Sequence, residues 1–185
     1  MKDNNFELNK IKGDFAELIC KHHFELMGFH LNKVGIEEIS PTFAKLKNKN
    51  SFTIPLKTHL QNMPDFLAVC EDRGISSFIE VKFREDIDNY GKLIKLSNEL
   101  HEQYKIYIDN NLPLYFYVVT NTKPYIHVLK AGVIKYKKNT GGFYEVGNRG
   151  FNDFQFFKSI KNKKSFNEIY ETVIDKFISQ VIKVH

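Results

Sequence analysis

Apolar residues recur at helical spacing from the start of the chain. Leu8, Ile11, Phe15, Leu18, Ile19, His22 and Leu26 fall on one stripe, which predicts a first helix, and Gly28 with Phe29 supplies a glycine stop and a closing apolar contact. Ala16, Cys20, Phe24 and Met27 add a second strip, so this helix is expected to pack on more than one side. The pattern then changes character. MPDFLAVC (63–70) and SSFIEVKF (76–83) are rich in β-branched and aromatic residues, and the segment between them carries Asp72 and Gly74, so two strands joined by a tight turn are predicted. Helical spacing returns over 90–107 with Leu93, Leu96, Leu100, Tyr104 and Tyr107. The almost wholly apolar 113–120 reads as a strand buried on both faces, as in a central parallel strand.

The remaining segments are less regular. Residues 30–62 show little periodicity before Phe52-Thr53-Ile54, which fits a mobile connection or a substrate-facing loop ending in a short strand. Short strands are predicted at 125–129 and 133–136, followed by a glycine-rich hairpin region around Gly141-Gly142 and Gly147 to Gly150. Ser165-Phe166-Asn167-Glu168 is a capping box opening a last helix, whose wide apolar face, Ile174 and Ile178 included, is expected to pack on the domain or on a second subunit as a homodimer.

A chain of 185 residues suits a single domain, 1–185, with a core over about 9–136 and the hairpin region and helix over 137–185. It holds no apolar run long enough to span a membrane and no secretory segment at its N-terminus, so a cytoplasmic protein without a membrane partner is expected. Cys20 and Cys70 lack the spacing of a disulfide framework or a zinc site, and His22-His23 belongs to no metal motif. The net charge of +5 favours a polyanionic partner without identifying one, because lysine runs such as 45–49 also serve as solvating surface.

The chemistry concentrates in Pro64-Asp65 and Glu80-Val81-Lys82. If the turn is centred near residues 72–73, the antiparallel partner of Asp65 is Glu80 or its immediate neighbour. Period-two alternation puts Glu80 and Lys82 on one face and Ile79, Val81 and Phe83 on the other. Two carboxylates in one cross-strand pair suit Mg²⁺, or Mn²⁺ in its place, with the Val81 carbonyl within reach of the same ion. An adjacent lysine can orient or deprotonate an attacking water, or stabilise a pentavalent phosphorus, which makes Lys82 the candidate. The plain alternative is that all three are ordinary polar positions on a half-solvated hairpin.

These residues resemble the signature of the PD-(D/E)XK nuclease superfamily, which includes restriction endonucleases and archaeal Holliday junction resolvases. The resemblance covers roughly residues 9–120. It implies an α/β fold of restriction endonuclease-like type, with a mixed central β-sheet flanked by helices. It also implies a glutamate on the opening helix, and Glu17 in Gly13-Asp14-Phe15-Ala16-Glu17 matches, there to hold a metal-bound water or a second ion. Lys21 at i+4 would equally make Glu17 half of an ordinary helix ion pair. Gln103 matches a polar residue that related nucleases often carry near the site, although a helix glutamine is commonly plain surface. Arg84 and Lys92 are candidates for phosphate contact, with a salt link to Glu85 or Asp86 as the other explanation for Arg84. The function expected is Mg²⁺-dependent endonucleolytic hydrolysis of DNA, against two rivals: a non-cleaving nucleic-acid-binding module of the same fold, and an RNA-cleaving nuclease.

Overall fold

In the computed structural model of the chain, the first helix, α1, spans Asp3–Leu26 and ends at the predicted glycine. Gly28 adopts a left-handed φ of 80°. Its N–H donates to the Glu25 carbonyl and the Phe29 N–H donates back to the Phe24 carbonyl, both at 3.0 Å, satisfying carbonyls that the helix end would otherwise leave open. The Phe29 ring meets Phe24 in a T-shaped contact with centroids 5.5 Å apart. The structure describes residues 3–34, 62–85, 93–121, 125–131, 143–147 and 172–182.

α1 buries the expected second strip in full and only part of the leucine and isoleucine stripe, from which Ile19 enters the core and Phe15 packs against it. Ala16, Ile19, Cys20, His23, Phe24 and Met27 are buried, whereas Ile11, Leu18 and Leu26 are exposed. Side-chain size accounts for the difference: Ala16 and Cys20 let the helix axis approach the sheet closely, and Phe24 and Met27 fill the space towards its end. Lys12 also lies on the buried arc. Its ammonium lies over the Phe83 ring, 6.0 Å from the centroid, and pairs with Glu85, so the charge stays at the edge of the core with a counter-charge.

Seven strands are described: β1 (His30–Lys33), β2 (Phe66–Cys70), β3 (Ile75–Arg84), β4 (Leu93–Ser97), β5 (Leu114–Thr120), β6 (Ile126–Lys130) and β7 (Phe143–Gly147). Five of them form the central sheet in the order β1-β2-β3-β5-β6. β3 and β5 run parallel and the other neighbours antiparallel, so the sheet is mixed. β1 occupies the start of the segment expected to be a loop. Its four residues gain ladder partners from β2, which the local pattern does not disclose.

The predicted helix over 90–107 divides in two. Leu93–Ser97 is β4, paired antiparallel with β7, and the helix α2 occupies Asn98–Asp109. Ser97 and Asn98 are helix-start residues, and the apolar positions before them are spaced ambiguously enough for either state. The glycine-rich region thus supplies a partner for β4. Phe52–Ile54, Val133–Tyr136 and the capping box at 165–168 lie outside the described residues.

Both faces of the sheet are covered, as the seven buried residues of β5 require. Tyr115, Tyr117 and Val119 join Ile79 and Val81 in a core beneath α1. Leu114, Phe116 and Val118 join Tyr104 of α2 on the other face. The last helix, over 172–177 and continuing as a π-helical turn at Ile178–Ile182, packs on its own domain, placing Ile174 and Ile178 in the α1-side core. Phe177 stacks on Phe15 of α1 at 3.7 Å between centroids. No helix among the described residues is long and apolar enough to cross a membrane.

His23 is a buried polar group of this core, its Nδ1 lying 2.7 Å from the Tyr117 hydroxyl. Burial pushes its pKa well below the usual histidine range. Because the unfolded chain takes up this proton near pH 6.5 and the folded chain resists it, stability is full above that pH and falls as pH drops through it. Urea unfolding at pH 7.5 and 5.5 should therefore show a loss in the wild type that is smaller in His23→Asn, by at most about 1.4 kcal/mol per pH unit for one proton.

Candidate active site

The β2–β3 hairpin builds the site, and its turn sets the register. Glu71–Arg73 makes a short 3₁₀ turn and Gly74 closes it at φ 59°, ψ 34°, a left-handed conformation that glycine adopts without Cβ strain. Pairing then runs from Cys70↔Ile75 to Phe66↔Ile79, and the next position in the same register sets Asp65 opposite Glu80. The alternation in β3 follows: Ile79 and Val81 enter the core under α1, and Glu80 and Lys82 face the α2 side.

Regular pairing stops at Pro64-Asp65. The Asp65 carbonyl accepts the Val34 N–H at 3.0 Å, which holds this residue to the end of β1. Its carboxylate Oδ2 accepts the Val81 N–H at 2.7 Å, taking the place of a ladder carbonyl. Val81 carries its N–H and C=O on the same strand edge, and the residue across from it in this register is Pro64, which has no N–H to give. The Val81 carbonyl is therefore left without its ladder donor beside the Asp65 carboxylate.

Glu80 is 2% exposed. Its Oε1 pairs with the Lys82 ammonium, and its Oε2 is buried with no hydrogen-bond partner. Such burial rules out the ordinary half-solvated hairpin, because an orphaned carboxylate oxygen costs free energy that a solvent-facing glutamate never incurs. Asp65 shares the same field. Its pKa rises to about 6, through burial first and the Glu80 charge second, against the opposing pull of Lys82, the Val81 N–H and Lys33. Two carboxylates that repel one another out of water, one with an unused oxygen, make a donor set suited to a hard cation, and the Val81 carbonyl, to which Pro64 can offer no N–H, adds a third oxygen. Among the described residues no cluster of three or more His, Cys, Asp or Glu side chains could hold a metal.

Glu17 reaches this neighbourhood from α1. It pairs with Lys33 at 3.1 Å, and the expected i+4 partner Lys21 instead approaches Glu25 at 3.9 Å. Burial raises the Glu17 pKa, and Asp65 adds to the rise. The adjacent Cys20 thiol is pushed up by burial and then by Asp65 and Glu17, so all three groups lie in one electrostatic environment.

Lys33 also belongs to this cluster, although its local sequence gives it no role. Its position at the last residue of β1 brings it beside both Glu17 and Asp65, and only the unpredicted strand could have disclosed that.

On the α2 face, Tyr104 is a second omission, read only as a stripe residue. Its ring packs on Phe116, which pairs with Glu80 across β3 and β5, and its hydroxyl pKa is raised by burial and then by the Glu80 charge and a polar contact with that carboxylate. Gln103 donates from Nε2 to that hydroxyl at 2.9 Å, so it touches the site through Tyr104. Arg84 is partly buried and its Nη1 donates to the Phe83 carbonyl at 2.9 Å, while Glu85 turns to Lys12. That removes Glu85 as the explanation for Arg84, whose charge lies within the field of Glu80. Lys92 and Asp86 lie outside the described residues.

No known family's sequence profile matches the chain, and no curated protein matches it in sequence. Among solved structures, the fold is similar to that of Hjc, a Holliday junction resolvase from the archaeal hyperthermophile Archaeoglobus fulgidus. The TM-score is 0.44 and the identity 15%, over 73% of this chain and 88% of that one. A likeness this distant carries no function across.

Lys82 neutralises a deeply buried carboxylate, so removing one partner should cost more than removing both. Lys82→Met is expected to destabilise the metal-free protein by about 3 kcal/mol, the lower end for a broken buried pair because Lys82 is a quarter exposed. Adding Glu80→Gln should recover most of that loss in a denaturant double-mutant cycle.

Proposed function

We propose that the protein is a divalent-metal-dependent endonuclease that hydrolyses phosphodiester bonds in DNA. The observation that carries this reading is the buried, unpartnered Oε2 of Glu80 in the same cluster as Asp65. Asp65, Glu80 and the Val81 carbonyl would hold Mg²⁺, or Mn²⁺ in its place. When bound, such an ion offsets negative charge developing on phosphate oxygens and makes its water more acidic.

The chain's own groups fit the remaining tasks. With Asp65 Oδ2 fixed on the Val81 N–H, the second carboxylate oxygen is the one available to a ligand. Lys82 keeps its ammonium at the carboxylate of Glu80, on the same strand face, where it can orient the attacking water or balance charge on the pentavalent phosphorus. Glu17 adds a carboxylate on the α1 side of Asp65, held by Lys33, from which it can bind a metal-bound water or a second ion. Gln103 supports the site through Tyr104, and Arg84 and Lys92 would contact substrate phosphates beyond β3. The net charge of +5 suits a polyanion, and the preference for DNA over RNA follows the nuclease resemblance of the motif.

The test is cleavage of duplex, single-stranded and branched DNA, and of RNA, each with Mg²⁺, Mn²⁺ or chelator. Asp65→Ala, Glu80→Ala and Lys82→Ala are each expected to lower DNA cleavage by about 100-fold or more while circular dichroism shows a retained fold. Undiminished cleavage by all three variants would remove the assignment, and nucleic-acid binding that survives chelation without any cleavage would favour the non-cleaving module. A second readout needs no substrate: Mg²⁺ or Mn²⁺ should raise the melting temperature of the wild type and leave that of Asp65→Ala unchanged.

A further inference from the structure

α1 leaves an apolar stripe facing solvent. Leu18 is 52% exposed, Ile11 47% and Leu26 69%, all on a helix whose adjoining arc is used by the core. Phe15 lies on the same stripe, stacked on Phe177, and Val173, one turn before Phe177 and 43% exposed, extends the patch onto the last helix. Ile174 and Ile178 are already buried in the domain core, so the last helix alone offers little for an interface. Clustered apolar exposure on one helix marks an interaction surface more often than scattered residues do.

The spacing identifies the kind of partner. Leu8, Phe15 and His22 recur every seven residues, and Ile11 and Leu18 recur at the same interval three positions later, which is the seam of a helix that pairs with another helix. The flank of that seam carries Asp14 and Lys21, one residue before Phe15 and His22. In an antiparallel pair that sets Phe15 against Leu18 of a second copy, and Ile11 against its His22, these flanking positions meet their own kind. Asp14 then faces Lys21 of the second copy, and the two-fold axis repeats the contact. Asp14 and Lys21 are both exposed, and Lys21 makes only a long 3.9 Å approach to Glu25 within its own helix.

We propose that the solvent-facing stripe of α1 is a docking surface for a second copy of this chain, paired antiparallel about a two-fold axis through the Phe15–Leu18 layer, with two reciprocal Asp14–Lys21 contacts. The stripe is self-complementary in shape class and in charge, which a heterologous partner would not require.

Sedimentation velocity of the full chain at tens of micromolar tests it. The wild type should be a dimer and Leu18→Glu a monomer, a substitution that the exposure of Leu18 lets the fold tolerate. Asp14→Lys and Lys21→Asp should each weaken self-association by about tenfold or more, because each places like charges together twice. Mixed one to one, these two variants should recover the dimer, since every Asp14–Lys21 contact then has opposite charges. A monomeric wild type, the result expected if other segments of the chain cover the stripe, would overturn the proposal. So would a mixture no more associated than its parts. Neither outcome bears on cleavage or metal binding.

Discussion

The end of the β2–β3 ladder at Pro64-Asp65 is the constraint on which the site depends. A proline cannot donate across to Val81, and a carboxylate one residue later takes the Val81 N–H that the missing ladder would have used. The missing proline N–H leaves the Val81 carbonyl without a ladder donor, and the Asp65 carboxylate is anchored on the amide of the same residue. Had the ladder continued, the Val81 amide would have bonded backbone and Asp65 would have been free to rotate towards solvent. The Val34 N–H on the Asp65 carbonyl supplies the opposing tether, so the residue is gripped from both neighbouring strands.

Burial gives that arrangement its chemical character. Glu80 sits between β2 and β5, in the middle of a sheet covered on both faces, and water cannot neutralise it there. Lys82 pairs with one of its oxygens, and Asp65 adds a second carboxylate to the same field. The fold tolerates this because its apolar mass is large on both sides: the α1 core and the α2 core each bring aromatic residues against β5. A site that keeps carboxylates close in a medium of low dielectric is poorly satisfied alone and well satisfied by a cation, which is the usual relation between stability and function at such positions.

Much of this was legible from the residues, and for identifiable reasons. Asp72 and Gly74 fixed the turn, a fixed turn fixes the register, and period-two alternation then dictates which β3 side chains share a face. The glycine stop of α1 was equally local, needing only Gly28 and Phe29. What escaped was non-local. β1 exists because β2 is there to pair with it, and β4 because β7 is, so neither leaves a clear trace in its own short segment. Lys33 and Tyr104 acquire their places in the site only through such tertiary neighbours, one from an unpredicted strand and one through Phe116. Glu17 was read with its helical neighbour Lys21, yet a residue of the adjacent strand competes better for its carboxylate.

The unequal burial of the two expected strips of α1 is more instructive, because both are apolar and periodicity cannot rank them. Hydrophobicity favours the stripe of leucine and isoleucine, whereas close packing on a twisted sheet favours the arc with alanine and cysteine at its centre. Packing decided the matter here, since a helix that lies closer to the sheet brings more atoms into contact along its whole length. A helix with two apolar arcs and one sheet to cover therefore leaves part of one arc outside. That leftover arc has the seven-residue spacing and the charged flank of a helix seam, features that burying α1 against its own sheet does not require and that a second helix would use.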